Sequence, residues 1–367
     1  MAETVTHDAH NTHRETRERF TLDALRDFAT RAFTRVGVPP EDADTVATIL
    51  TNSDLWGIES HGMPLLAGYV RRVQNGLAKA RPDIRVVSEY PGTLVLDGDD
   101  GLGPVVGTYA MRRAIDKARE TGVSTVTVRN SNHYAACFNY PLMAVAEEMA
   151  GMTMTSTGPS VIPTFGAAPL LGTNPICIAF PGTEASKPFV IDMATSVVAS
   201  GKVGVYRREG KTLPTGWSYD EDMQPTTDAA KARYLNPLGG DRGHGSQKGY
   251  GLNVAVDMFT ALLSGGRYSA QMTRANALEA PLKSAHMFSA WKVDAFVPLD
   301  EYRARYDEYT QMLHACPPAA GHTGVLIPGE PEWAAESDRR AHGIPLNPLV
   351  VADLRQLAAD LDLPFNE

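Results

Sequence analysis

Cysteine is scarce in this 367-residue chain, and Cys137, Cys177 and Cys316 stand far apart with no CxxC spacing. That excludes a disulfide framework and a thiolate zinc site, and it fits a reducing, cytoplasmic compartment. No apolar run approaches the ~18 residues of a membrane span, and the polar start lacks the apolar stretch of a secretion signal. Basic excess is absent as well. Lys and Arg number 34 against 43 Asp and Glu, a formal charge of −9, so neither nucleic acid nor an anionic membrane surface is an expected partner. Also missing are a P-loop, an HExxH zinc helix and a GxSxG nucleophile elbow.

Apolar residues make up 43% of the chain, enough for a large core organised in more than one domain. Met1 to Glu18 reads as a polar, disordered tail whose His7, His10 and His13 are incidental rather than metal ligands. Helical spacing predicts a helix from its cap Thr21 to Gly37 and a second from Pro40 toward Asp54. From Thr93 onward β-branched stretches recur at 93–96, 124–128, 152–155, 175–179 and 188–191, with helical patterns at 109–118 and 142–149 between them. The middle is therefore mixed α/β. Leu252, Val256, Phe259, Leu262 and Leu263 predict a strong helix from Lys248 to Gly265. Helices at 299–313 and 354–361 follow, with a turn-rich segment at 327–332 between them.

Several clusters carry candidate chemistry. Ser60-His61-Gly62, flanked by Asp54 and Glu59, offers an imidazole, the side chain suited to proton transfer near neutral pH. Read alone, a turn or core histidine is the competing account. His133, in Asn130-Ser-Asn-His-Tyr-Ala-Ala136, follows a strand among small residues and poses the same choice. Thr173, in Gly172-Thr-Asn-Pro175, and Asp192, in Asp192-Met-Ala-Thr-Ser196, lie in loops at strand ends, where ligands bind in α/β proteins. Lys248-Gly-Tyr-Gly251 opens a helix whose N–H groups, with the lysine, suit an anion such as a nucleotide phosphate. The run Gly98-Asp-Asp-Gly-Leu-Gly-Pro-Val-Val-Gly107 has GxGxxxG spacing, and Pro104 removes an N–H, so it reads as a plain strand-to-helix turn.

In this order the clusters resemble the malate/L-lactate dehydrogenase family, which also contains sulfolactate and ureidoglycolate dehydrogenases and piperideine- and pyrroline-2-carboxylate reductases. Asp54-Leu-Trp-Gly-Ile-Glu-Ser-His-Gly62 is similar to that family's D-L-R-G-x-x-S-H-G. Asn130 to His133 matches its N-S-N-H and Leu171 to Pro175 its L-G-T-N-P, while 192–202, 248–252, 327–330 and 343–346 continue the series. The resemblance implies a mixed α/β fold with a non-Rossmann NAD(P)-binding domain on a large mixed or antiparallel sheet, plus a helical domain. It divides the chain into an N-terminal helical region, 19–90, packed with the C-terminal segment, 299–367, around a cofactor-binding region, 91–298. Homodimers are the family habit.

The same resemblance implies NAD(P)H and a small-molecule substrate, with hydride passing to or from a C=O carbon. His61 would be the acid/base, oriented by Ser60 and supported by Asp192, with Lys202 in a further polar role. Around the cofactor it would place His133, Tyr134, Ala135, Ala136, Cys137, Asp192, Met193, Ala194, Gln247, Lys248, Pro328 and Gly329, with Thr173 on the substrate. Two positions depart from the family pattern. Leu65 stands where an arginine usually grips the substrate carboxylate, so either Arg71 or Arg72 substitutes or the substrate is bulkier or less anionic. Trp56, also in place of an arginine, is expected to add apolar surface nearby. A cyclic-imine reductase and an inactive ligand-binding homologue are the alternative readings.

Overall fold

The computed structural model describes residues 17–274 and 278–365; His7, His10 and His13 lie outside the described residues. The strands among them are β1 (Arg19–Phe20), β2 (Arg85–Tyr90), β3 (Thr93–Asp97), β4 (Val123–Ser131), β5 (Met149–Ser156), β6 (Ile176–Phe180), β7 (Phe189–Met193), β8 (Ser218–Tyr219), β9 (Pro225–Thr226), β10 (Tyr234–Leu235), β11 (Ser284–Lys292) and β12 (Ile344–Pro345). The helices are α1 (Leu22–Arg35), α2 (Pro40–Leu55), α3 (Leu66–Gln74), α4 (Gly103–Thr121), α5 (Pro141–Val145), α6 (Ser200–Arg208), α7 (Ser246–Asp257), α8 (Leu299–His314), α9 (Glu330–His342) and α10 (Pro348–Leu361). No helix among the described residues is long and apolar enough to cross a membrane.

The architecture is mixed α/β around a seven-stranded sheet of order β2-β3-β4-β11-β5-β6-β7. Only the β3–β4 pair is parallel; the other neighbours are antiparallel. Thr21 caps α1 by accepting from the Ala24 N–H, and Pro40 opens α2 with Glu41 and Asp42 behind it, as the sequence pattern requires. The central strand β11 escapes the sequence reading because its first seven residues are all buried, leaving no alternation of period two to detect. Phe288 and Ala290 pack into the main core with α4, whereas Met287 and Ala285 face the opposite side, against Val256 and Ala261. A strand buried on both faces is the result.

Several expected boundaries move. Residues 85–90, expected with the helices of 19–90, form β2 on the sheet edge, because Val86 and Tyr90 pair with Leu96 and Thr93. The helix expected over 142–149 is one turn, α5, and Met149 already begins β5. The turn-rich stretch at 327–332 runs into α9 at Glu330, and the final helix starts at Pro348 rather than Leu354. The first and last described segments meet: β1 pairs with β12, and Arg35 donates to the Leu361 carbonyl of α10. Segment 299–314 docks instead on the connection between β6 and β7, through Tyr302 and Tyr306 hydroxyls donating to the carbonyls of Pro181 and Lys187.

Helix α7 continues into a π-helical turn, Met258–Leu262. Of the apolar residues that predict this helix, Leu252, Phe259, Leu262 and Leu263 are 38–58% exposed, and only Val256 is fully covered. Much of that stripe faces outward.

Candidate active site

Strand directions collect the candidate segments at one end of the sheet. Strands β3, β4, β5 and β7 share a direction, opposite to β6 and β11. The loops after Asp97, Ser131, Ser156 and Met193 therefore lie beside the segment that leads into Ile176. Those loops hold His133, Thr157 and Thr173, and Asp192 lies beside them near the end of β7, paired with Cys177 rather than in the loop that the sequence suggested.

The turn that carries His61 grows out of the end of α2. The Ile58 N–H donates to Ser53 O, and the His61 N–H to Ile58 O. Beneath the turn lies Asp54, fully buried, whose Oδ2 accepts the Met63 N–H at 2.6 Å. A Cβ on Gly62 would fall 2.2 Å from that carboxyl group. Glycine follows His61 because Asp54 occupies the space. Arg339 of α9 donates to the Asp54 carbonyl and pairs with Glu59 at 3.1 Å, and Arg17 bridges Glu59 and Glu209 at 2.8 Å each. Gly201 of α6 completes the packing, since a Cβ there would meet Ser60 Cβ at 2.7 Å.

Ser60 Oγ lies 2.8 Å from His61 Nδ1. The ring of His133 stacks on His61, with centroids 5.5 Å apart. His133 Nδ1 is 2.6 Å from the Tyr69 hydroxyl, which also accepts the Ala135 N–H at 3.1 Å. The Ala135 N–H is also directed at Nδ1, at 3.4 Å, so Nδ1 is the acceptor, the tyrosine proton is donated to it, and the His133 proton sits on Nε2. An edge of each histidine stays accessible. Even so, loss of surrounding water pushes His61 down to about 4 and His133 down to about 3, the latter helped by His61, His286 and Arg72. Both rings rest neutral, able to accept a proton. Ala135 adopts φ +62, a costly conformation for a side-chain-bearing residue and one that recurs at functional sites.

The glycine run after β3 serves this loop rather than a phosphate. A Cβ on Gly103 would lie 2.3 Å from the His133 carbonyl oxygen, and one on Gly107 2.7 Å from the Tyr140 ring. Asn132 Nδ2 ties the two loops by donating to the carbonyls of Asp100 and Gly101.

Asp192 stands apart from the histidine pair in its hydrogen bonding. Its Oδ2 accepts the Phe138 N–H at 2.9 Å, with the Cys137 thiol beside it, and burial pushes it up to about 6. The carboxylate braces the 137–138 turn, and the contact with His61 that a supporting relay requires is not among its hydrogen bonds. Lys202 is exposed on α6. Trp56 offers no surface to a ligand: it is 5% exposed, stacked on Phe138 at 4.0 Å and edge-on to Trp333. Leu65 packs against the main core. Arg71 is exposed, whereas Arg72 is buried and its charge acts on Tyr69 and His133. Tyr69 was missed by the sequence reading; its signal was a position on α3, eight residues beyond His61.

The residues present fit a dinucleotide. Gln247 Oε1 is buried with no hydrogen-bond partner among the described residues, an acceptor suited to a ribose hydroxyl or a carboxamide N–H. It sits in the first turn of α7 beside the exposed Lys248, where helix N–H groups favour anions. Gly249 lets that turn approach the Leu238 carbonyl, which a Cβ would meet at 2.1 Å, and Gly329, at φ +101, closes on Val190. Thr173 Oγ1 is half-buried, 3.4 Å from Thr157 Oγ1.

Comparison with known proteins points the same way. The family model described as malate/L-lactate dehydrogenase matches residues 20–355. The chain is 40% identical to a malate dehydrogenase of Pyrococcus horikoshii over 92% of its own length and 93% of that protein. It is 35% identical to an L-sulfolactate dehydrogenase of Methanocaldococcus jannaschii, over 96% and 98%. The crystal structure of malate dehydrogenase from Entamoeba histolytica superposes with a TM-score of 0.90 at 31% identity, covering 95% of this chain and 99% of that one.

Proposed function

Because this chain belongs to the malate/L-lactate dehydrogenase family and is an NAD(P)-dependent oxidoreductase acting on a CH–OH donor, we propose that it interconverts a 2-hydroxy acid and its 2-oxo acid with His61 as the proton carrier. The observation that carries this reading is the neutral His61 ring, held by Ser60 and stacked on His133 at the sheet end where the candidate binding loops gather. Bound nicotinamide supplies the hydride acceptor or donor. The chain's own groups do the rest. The neutral imidazole of His61 takes the hydroxyl proton as hydride leaves the carbon, and Ser60 stabilises the charged ring that forms. Gln247, Lys248, the 133–137 loop, the backbone of Asp192 to Ala194, and Pro328–Gly329 hold the dinucleotide, and Thr173 touches the substrate.

Leu65 cannot grip an anion, so the substrate is one whose carboxylate is held elsewhere, with buried Arg72 the cation whose charge reaches this pair, or one less anionic than malate. The hydrogen bond from Tyr69 leaves the His133 proton on Nε2, where His133 would donate to the substrate oxygen while His61 takes the proton. The outward stripe of Leu252, Phe259, Leu262 and Leu263 supports a homodimer, and unpaired Cys137, Cys177 and Cys316 suit a reducing, cytoplasmic setting.

The test is a panel of 2-oxo acids, ketones and cyclic imines assayed with NADH and NADPH, beside a fluorescence titration of both cofactors. Turnover of a 2-oxo acid is expected. Turnover of cyclic imines alone would make the chain an imine reductase, and cofactor binding without turnover of any compound would make it an inactive homologue.

A further inference from the structure

A second polar cluster lies buried behind Thr173, and its centre is Asn174. The residue is fully buried, and its φ of +38 puts it in the left-handed region that asparagine tolerates better than most residues. Its Nδ2 donates to Asn253 Oδ1 at 2.8 Å, with Ser269 Oγ at 3.1 Å and Asp257 Oδ1 at 3.3 Å also in reach. Its Oδ1 accepts the Thr157 N–H at 3.0 Å. Asn253 Nδ2 in turn donates to Gly172 O at 2.8 Å, and Ser269 Oγ donates to Asp257 Oδ1 at 2.8 Å.

The loop has little room to move. Thr195 Oγ1 donates to Asn174 O and the Thr195 N–H to Thr173 O, while the Thr173 N–H donates to Thr157 Oγ1. A Cβ on Gly172 would fall 2.2 Å from Thr157 Oγ1 and 2.4 Å from Asn174 Oδ1. Both backbone groups of Thr173 are therefore held from outside its own segment. Asn253 and Asp257, one turn apart on the same face of α7, are the anchor. Gln247 and Lys248 open that same helix, six and five residues earlier, roughly 9 Å along its axis at 1.5 Å per residue.

We propose that Asn174 and Asn253 are positioning residues that lock the Thr173 loop to helix α7, so that substrate binding and cofactor binding strengthen one another through a buried hydrogen-bond network. This rests on the reading that Thr173 meets substrate and Gln247–Lys248 the cofactor. An amide network of this kind is an expensive way to fill a core that leucine or valine would pack without desolvating polar groups. Directional hydrogen bonds hold a loop to the fraction of an ångström that a reacting geometry requires. A helix held at its N-terminal end by a dinucleotide presents Asn253 to the loop in one position, and an ordered loop returns the effect to the helix.

The experiment uses the full chain. NADH and NADPH affinities are measured by fluorescence with and without oxamate, an isostere of a 2-oxo acid, for wild type, Asn253→Ala, Ser269→Ala and the amide-retaining Asn253→Gln. Oxamate is expected to tighten cofactor binding in wild type. In Asn253→Ala that tightening is lost and the KM of the best 2-oxo acid rises about tenfold, the scale of one buried hydrogen bond, with a smaller change in kcat. Ser269→Ala, which removes one hydroxyl and spares the fold, shifts both in the same direction, and Asn253→Gln restores part of the coupling. Wild type without oxamate-enhanced binding, or folded variants with the enhancement and KM within twofold of wild type, would overturn the proposal while cofactor binding itself still stands. A wild-type chain that binds neither NADH nor NADPH overturns the functional reading and this proposal together.

Discussion

His61 and His133 stack with 5.5 Å between ring centroids and 26° between planes, and each has its Nδ1 occupied by a neighbouring hydroxyl, Ser60 for one and Tyr69 for the other. Nε2 is the nitrogen left to meet a substrate hydroxyl in both. A charge on one ring opposes a charge on the other, so protonation of His61 holds His133 neutral.

Replacement of His61 by alanine is expected to lower kcat by roughly 10² to 10⁴ fold, the range for a positioned acid/base. Ser60→Ala should follow it in direction with a smaller loss. If Tyr69→Phe and His133→Ala cause the large loss while His61→Ala turns over near the wild-type rate, the proton belongs to His133.

Stability should depend on pH with opposite slopes on the two sides of pH 6.5. Burial pushes His61, His133 and His286 down to about 4, 3 and 3 from an ordinary 6.5. The unfolded chain then takes up protons that the fold refuses, so their stabilisation is complete above pH 6.5 and declines as pH falls toward 4. Asp54 acts the other way. Burial pushes its carboxyl up to about 8 from 3.8, so the fold keeps a proton that the unfolded chain has released, and stability declines as pH rises toward 8. Melting temperature measured from pH 5 to 8.5 should peak near 6.5, and Asp54→Asn should remove most of the alkaline decline. A wild-type curve flat from 6.5 to 8.5 would refute the assignment to Asp54.

A methyl group at position 62 has nowhere to go, since it would fall 2.2 Å from the Asp54 carboxyl group. Gly62→Ala is expected to cost about 1–3 kcal/mol of stability, the scale of overpacking, and to reduce kcat further by displacing His61. Chemical denaturation and initial rates on the same sample separate the two effects; wild-type values of both would mean that the turn moves aside freely.

Restoring an arginine at position 65 should shift specificity toward small 2-oxo acids. A charge-assisted grip on a carboxylate favours kcat/KM for oxaloacetate by roughly ten- to hundredfold. An unchanged preference in a folded Leu65→Arg enzyme would show that the substrate carboxylate lies elsewhere.

Much of the framework was legible along the chain. Thr21 and Pro40 mark helix starts, and the stretches at 93–96, 124–128, 152–155, 175–179 and 188–191 all lie in or at strands of the large sheet. What escaped has physical causes. Strand β11 is buried on both faces and so lacks alternation, while α9 carries mostly polar side chains and lacks an apolar stripe. The apolar pattern of 252–263 marked a helix but not the direction its stripe faces, because period alone does not say what lies opposite.

Composition, periodicity and local motifs thus decided on their own where the well-patterned helices and strands lie, and which imidazole, amide and carboxyl groups the chain has to work with. Those are properties of short windows, governed by backbone preference and side-chain spacing. Only the tertiary structure decided that His133 stacks on His61, that Tyr69 sets its tautomer, that Asp192 braces the 137–138 turn, and that Trp56 belongs to the core. Each of those outcomes depends on strand order and on which water is excluded, and neither is written in any window of sequence.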